Sequence, residues 1–273
     1  MKTKQLLLTL LAFLLPLSSL ADVWQDPETK VNYEYTVGKR EASVKAGKLY
    51  IAGSPDVVGD INLLSKISIE GNEYTVTSIG KYAFYNRDKM TSVNIPEGIT
   101  SIRDYAFDGC DNLTNVIIPS SVDSTEFGAF YECTGLRDVT LSEGITYIGN
   151  LTFGDCTSLA SITIPESVIS IGGQAFRRCN FTTVKIPQNV TSIGENPFNG
   201  CPLVNIFVDE KNTNFDSRNN CNAIIKTSSN ALICGCRTTD IPSSVYRIDD
   251  LAFSRCKGLT SIVILNFNLI CND

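Results

Sequence analysis

Phenylalanine recurs at a nearly constant interval through the middle of the chain. The separations are 23, 23, 23, 23 and 22 residues, between Phe84, Phe107, Phe130, Phe153, Phe176 and Phe198. Phe253 resumes the series 55 residues later. The residues around each one repeat the pattern S-I-G-x-x-A-F-x-x-C-x-x-L-x-x-V-x-I-P, as in SIRDYAFDGCDNLTNVIIPSSVD at 101–123. Self-similarity at a fixed period predicts a stack of similar coils.

A single unit of this length cannot enclose its own apolar residues, whereas stacked copies bury them as a continuous column. Val116 and Ile118 alternate with outward positions, which is the period of a β-strand. Stacking therefore predicts a parallel ladder sheet, and Pro119 should end its strand because proline has no amide hydrogen to donate. Thr125 replaces the repeat isoleucine and Ser142 the repeat proline, so we expect that coil to pack less well.

The core S-I-G-x-x-A-F-x-x-C resembles the BspA-like subclass of leucine-rich repeat proteins, over about residues 61–264. The resemblance implies a β-rich leucine-rich repeat solenoid with its parallel ladder sheet on the concave side and a mostly irregular or short-helical outer side. It also implies an N-terminal β cap, the absence of catalysis, and a role in protein binding or adhesion. Members of the subclass are surface or secreted proteins.

The sequence divides into three regions. Residues 1–21 have the basic start, apolar stretch and small-residue end of a signal peptide, with cleavage expected after Ala21. Residues 22–60 contain alternating runs and form the predicted β cap. Residues 61–273 form the predicted solenoid, with a β-hairpin inserted at 209–240. Leu64-x-x-Ile67-x-Ile69 predicts a ladder strand before the first full coil, and no cap is evident after the last one.

Ten cysteines in an exported chain would ordinarily suggest disulfides. Six of them share one repeat position: Cys110, Cys133, Cys156, Cys179, Cys201 and Cys256. Stacked equivalents have parallel side chains about 4.8 Å apart, which does not suit a bridge, so we predict buried, reduced thiols. Cys221 and Cys234 flank the predicted hairpin. The sequence leaves two alternatives for them, a disulfide across the hairpin or two free thiols.

Composition excludes several functions. The chain has no histidine, which removes Ser-His and Cys-His dyads and histidine-ligated metals. Its formal net charge of -6 argues against nucleic acid as a partner.

A run of oxygen-bearing side chains resembles a cation-binding loop. Its members are Asp209, Glu210, Asn212, Asn214 and Asp216. The run lacks the turn glycine and the distal glutamate of a calcium loop, so we interpret it as a solvated loop. We expect no cofactor.

Outward positions of the ladder strands are the candidate partner site. The predicted contact residues are Asn115, Ile117, Asp138, Thr140, Lys185 and Phe207. Most outward residues are small and polar, but Ile117, Phe207 and Val263 gain nothing from apolar side chains unless something covers them. The rival explanation is that the inserted hairpin folds over Phe207 and Val263.

The sequence thus predicts a non-catalytic, secreted or cell-surface module that recognises an extracellular or host protein through the concave surface of the solenoid. It predicts no membrane span, and self-association through the C-terminal coil stays open. The first alternative is a carbohydrate-binding surface protein, against which the single tryptophan, Trp24, counts. The second is a glycan-degrading enzyme, which would need two carboxylates about 5–10 Å apart in a cleft.

Overall fold

The computed structural model describes residues 21–36, 41–45, 57–264 and 270–271. The predicted signal peptide, apart from Ala21, lies outside these residues. The described residues form 21 strands, numbered here in chain order, and one short 3-10 helix at Arg218–Asn220. The predicted β-rich repeat solenoid is confirmed, with parallel pairing between the strands of successive coils.

The largest sheet joins the cap to the S-I positions of successive coils. In spatial order its strands are β1 (Ala21–Gln25), β2 (Asn32–Thr36), β3 (Glu41–Lys45), β6 (Asn72–Ile79), β8 (Ser101–Ile102), β10 (Ser124–Thr125), β12 (Tyr147–Ile148), β13 (Ser170–Ile171) and β15 (Ser192–Ile193). The strand β5 (Lys66–Ile69) pairs with β6 outside this order. The cap strands are antiparallel to one another, and β3 then pairs parallel with β6.

The V-x-I positions form a second ladder in two parts. One part is β4 (Gly59–Asn62), β7 (Met90–Asn94), β9 (Asn115–Ile118) and β11 (Asp138–Leu141), and the other is β14 (Thr183–Ile186) with β16 (Asn205–Val208). Residues 161–164 between them form no strand. The next coil has one residue fewer between Cys179 and Val184, and a shortened coil cannot keep its neighbour's register. Both β9 and β14 end directly before a proline, as predicted.

The remaining five-stranded sheet lies towards the C-terminus. Its strands are β17 (Phe215–Asp216), β18 (Ala223–Lys226), β19 (Ala231–Gly235), β20 (Arg247–Ile248) and β21 (Ile270–Cys271). The predicted hairpin is β18 paired antiparallel with β19. Its second strand also pairs parallel with β20, so the hairpin continues the stack towards the last coil. Beyond β20, β21 adds a further parallel strand.

Six phenylalanine rings stack in a buried column. Successive ring centroids lie 5.0, 4.9, 5.4, 5.7 and 5.4 Å apart, and their planes differ by no more than 9°. The backbone supports the same spacing, because the amide of Phe107 donates to the carbonyl of Ala129 and that of Phe153 to Ala175, both at 2.8 Å. Each coil is thus fixed to its neighbours by ring contact and by hydrogen bonds.

In five coils the cysteine three residues after the phenylalanine has a polar role as well as an apolar one. Its thiol donates to the phenylalanine carbonyl of the preceding coil at 3.0–3.1 Å, in Cys110, Cys133, Cys156, Cys179 and Cys201. All five are buried and free. Burial raises the pKa of the Cys133 and Cys156 thiols well above the usual range and that of Cys201 to about 12. These thiols therefore stay protonated, as hydrogen-bond donation requires.

The last coil departs from the prediction. The sequence places Phe253 and Cys256 in the core, but both are only half-buried. A β-carbon on Gly235 would lie 2.2 Å from the Phe253 ring, so this ring packs over the glycine of β19. Because the hairpin brings a glycine to this place in the stack, Phe253 stacks on no phenylalanine ring within the described residues.

The strand predicted at Leu64-x-x-Ile67-x-Ile69 is also wrong in its pairing. Its residues form β5, which turns back antiparallel onto β6 through Glu70 and Gly71, both with positive φ. Two such residues make the tight turn that joins antiparallel strands. The ladder strand before the first full coil is β4 instead, with Ile61 buried.

Buried threonine hydroxyls are hydrogen-bonded locally, and the described cysteines outside the repeat position carry free thiols. Thr125, in the coil expected to pack less well, has its hydroxyl 3.3 Å from that of Thr152, which donates to the Gly149 carbonyl at 2.9 Å. The reduced stability of that coil stays a prediction. Cys221 and Cys234 are both free thiols, so the disulfide alternative is not found. The side chain of Cys271 lies outside the described residues.

We predict that Phe153→Ala lowers the free energy of unfolding by roughly 3–5 kcal/mol, because it leaves a cavity between two coils whose positions are fixed. Chemical denaturation of the purified protein measures this. Phe207→Ala is the matched control, since the same atoms are removed from an exposed ring. Equal losses in the two variants would contradict the buried column.

Thiol labelling under native conditions tests the cysteine ladder. We expect Cys110, Cys133, Cys156 and Cys179 to react with the label only after unfolding, and to do so without added reductant, because they are buried and not bridged. Cys256 is partly exposed and should react first among the six repeat cysteines. Peptide mapping that found a bridge between two ladder cysteines, or equal labelling of Cys256 and Cys133, would contradict the arrangement.

Candidate partner-binding face

The outward side chains of the V-x-I ladder form a row, here called the outer row, one residue from each coil. Its members are Asn94, Ile117, Thr140, Thr163, Lys185, Phe207 and Val263. All seven are exposed, and in the five that lie on strands the alternation turns the flanking apolar residues inward. Thr163 and Val263 lie outside strands, and Ile264 beside Val263 is itself exposed. Ile117 is 59% exposed, Phe207 45% and Val263 61%. The row therefore mixes small polar side chains with uncovered apolar ones.

Four predicted site residues lie together on β9 and β11. Asn115 pairs in register with Asp138, and Ile117 with Thr140. All four are exposed. Thr114 donates its hydroxyl to the Asn115 side-chain oxygen at 3.2 Å, which leaves the asparagine amide hydrogens to solvent. The result is an apolar side chain surrounded by an amide, a carboxylate and a hydroxyl.

The other two predicted residues lie on β14 and β16, beyond the interruption at 161–164. Lys185 pairs in register with Phe207. The Lys185 ammonium forms an ion pair with Asp209 at 2.7 Å. That hydrogen bond raises the pKa of Lys185 and lowers the pKa of Asp209. The six residues therefore fall into two groups on separate sheets, which sequence spacing alone did not indicate.

The inserted hairpin leaves the outer row uncovered. Phe207 lines an open pocket together with Asp209 and residues 216–220. One wall of this pocket is the short 3-10 segment, which lies within the insertion at 209–240. Arg218 holds the wall in place, since its guanidinium contacts both carboxylate oxygens of Asp216 at 2.6 and 2.8 Å and the Asn230 side chain at 2.8 Å.

The run of oxygen-bearing residues at 209–216 is occupied by structural contacts. The buried Asn212 amide donates to the carbonyls of Pro187 and Val190 at 2.8 and 3.0 Å. Its side-chain oxygen accepts the amides of Asn214 and Phe215, both at 2.9 Å. Within the described residues, no group of three or more acidic or cysteine side chains is arranged to hold a metal ion. These side chains fasten the loop to the preceding coil.

A second cleft, which sequence reasoning missed, lies between the largest sheet and β20. Glu195, Asp249 and Asp250 line it. The Asp249 carboxylate is held by the Arg247 guanidinium at 2.6 Å, so it already has a cationic partner. Adjacent aspartates were visible in the sequence, but their approach to Glu195 depends on how the hairpin displaces the last coil.

Comparison with known proteins identifies the repeat. The BspA type leucine rich repeat region matches in six copies, over residues 62–169, 147–259 and 223–271. No curated protein matches the chain. No helix within the described ranges has the length and apolar character to cross a membrane.

Three solved structures show the same fold. A leucine rich cell surface protein from Faecalibacterium prausnitzii is 26% identical with a TM-score of 0.64, over 88% of this chain and 70% of that one. A leucine-rich repeat protein from Bacteroides ovatus is 26% identical with a TM-score of 0.55, over 88% and 52%. The pneumococcal vaccine antigen PcpA, at 20% identity, has a TM-score of 0.73 over 92% and 66%.

This chain therefore spans between about half and 70% of the length of these relatives. The repeat pattern, the stacked coils and the match over most of the sequence agree with one another. The chain belongs to the BspA-type leucine-rich repeat family.

Proposed function

We propose that the protein is an exported, non-catalytic binding or adhesion module that recognises an extracellular protein through its outer row. The observation that carries the proposal is the exposure of Ile117 in the middle of β9. An outward isoleucine stabilises nothing in the isolated coil, and its neighbours Asn115, Asp138 and Thr140 supply hydrogen-bonding groups around it. Protein interfaces commonly combine an apolar centre with a polar rim.

Phe207 extends the proposed surface to the second group of residues. Its ring is exposed beside Lys185, whose charge is already paired with Asp209. A partner that approaches Phe207 thus meets an ion pair as well as an aromatic ring. Aromatic side chains often contribute much of the binding energy at protein interfaces.

Export is supported by two separate observations. Residues 1–21 have the composition of a signal peptide, and the similar protein from Faecalibacterium prausnitzii is a cell surface protein. A location outside the cell, whether secreted or at the surface, places the outer row where extracellular proteins are the available partners.

Protein recognition accounts for the outer row better than the two alternatives. Phe207 is the row's single aromatic residue, whereas a sugar platform would need several ring faces. Leucine-rich repeat families are typically non-enzymatic binding proteins. We therefore do not propose catalysis for the cleft at Glu195, where Asp249 forms an ion pair with Arg247.

Capture from mucus and extracellular-matrix extracts tests the proposal. We expect immobilised protein lacking residues 1–21 to enrich at least one extract protein, and Ile117→Ser or Phe207→Ser to weaken its binding about tenfold or more, as loss of an interface anchor does. Ile169→Ser is the matched control, because Ile169 is similarly exposed at 48% but lies outside the outer row.

Quantitative mass spectrometry of the captured proteins, followed by affinity measurement on the purified partner, provides the readout. Capture that is equal for Ile117→Ser, Phe207→Ser and the wild type would exclude the outer row as the binding surface. Equal weakening by Ile169→Ser would show a general effect of surface hydrophobicity and would also contradict the proposal.

A further inference from the structure

The position two residues after each phenylalanine forms another row along the stack. Its members are Asn86, Gly109, Glu132, Asp155, Arg178, Gly200 and Arg255. All of them have positive φ, so the same turn recurs in every coil. Towards the C-terminus the row passes from acidic residues to two arginines separated by a glycine. This change of charge lies outside the outer row.

Gly200 allows the stems of two arginines to pack close to its backbone. A β-carbon on Gly200 would lie 3.2 Å from Cγ of Arg178 and 3.8 Å from Cδ of Arg255. The two arginine side chains therefore lie beside the same residue. The hairpin contributes no residue to this row, so Arg255 of the last coil follows Gly200 directly in it.

The result is a pocket of about 560 Å³, here called the basic pocket. Its charged lining residues are Arg178, Arg255 and Lys257, and no acidic residue lines it. Asn180 and Thr157 add an amide and a hydroxyl. In a chain of net charge -6, three cations around one cavity form a local field of opposite sign to that of the whole molecule.

The cations differ in how they are held. Arg178 donates to the Asp155 carboxylate at 3.0 Å, which fixes its guanidinium at the pocket edge. Arg255 and Lys257 form no ion pair or side-chain hydrogen bond with other described residues. Two unpaired cations beside a fixed one leave charged donors available to an anion entering the pocket.

We propose that the basic pocket binds an oxyanion group carried by a saccharide. Planar guanidinium groups donate two parallel hydrogen bonds to sulfate, phosphate or carboxylate oxygens, and charge-assisted bonds are roughly twice as strong as neutral ones. The volume exceeds that of a bare ion and falls in the range of small-molecule sites. Asn180 and Thr157 offer partners for sugar hydroxyls.

Binding of a sulfated heparin tetrasaccharide, measured by calorimetry on the full chain at low salt, tests the proposal. We expect Arg255→Glu and Lys257→Glu each to weaken binding at least tenfold, and the affinity of the wild type to fall as salt screens the charges. Arg103→Glu is the matched control, because it makes the same change of charge at an exposed arginine of another coil.

A desulfated tetrasaccharide that retains its carboxylates separates the two sources of oxyanion. Binding of either form that depends on Arg255 supports the pocket, and the form that binds identifies the anion. Unfolding curves establish that each variant folds. Gly200→Asn places a side chain in the basic pocket and should also weaken binding, and asparagine tolerates the positive φ of this position. Absence of binding to both oligosaccharides, or equal weakening by Arg103→Glu, would overturn the proposal. Neither outcome bears on the outer row, which shares no residue with the pocket.

Discussion

The contact between one coil and the next determines the rest of this structure. Phenylalanine rings about 5 Å apart and amide bonds such as Phe153 to Ala175 set the same spacing. A coil therefore has no core of its own and is stable only between neighbours. The thiol of Cys156 completes the contact by donating to the carbonyl of Phe130, so one small side chain fills space and satisfies a buried acceptor.

The same regularity makes irregular places informative. Where Gly235 comes under Phe253, the column stops and the last coil is less well buried. Where Gly200 leaves out a side chain, a pocket opens between arginines. Where Ile117 faces outward, an apolar group is left uncovered. The exposed Ile117 and the pocket at Gly200 do not improve packing between coils, and for that reason they carry the functional proposals.

Much of the fold could be predicted because each repeat position has one physical requirement. Phe107 and Cys110 had to be buried, and the V-x-I segment had to be a strand. The errors occurred where the inserted hairpin displaced the last coil and where a local turn overrode the repeat pattern. Ile67 and Ile69 have ladder spacing, but Glu70 and Gly71 turn their strand back onto β6. The outer row followed from alternation, whereas the ion pair of Lys185 with Asp209 and the basic pocket depend on the loop and hairpin at 209–240.

Amide hydrogen exchange of the native protein tests the central claim most directly. If coils are held by their neighbours, the amides of Phe107, Phe130 and Phe153 should exchange slowly and at similar rates, because each is buried and bonded to the next coil. The amide of Gly144, whose hydrogen bond to the Ser167 hydroxyl is exposed to solvent, should exchange much faster. Rapid exchange at the three phenylalanine amides, at the rate of Gly144, would contradict a stack held together by its phenylalanine column.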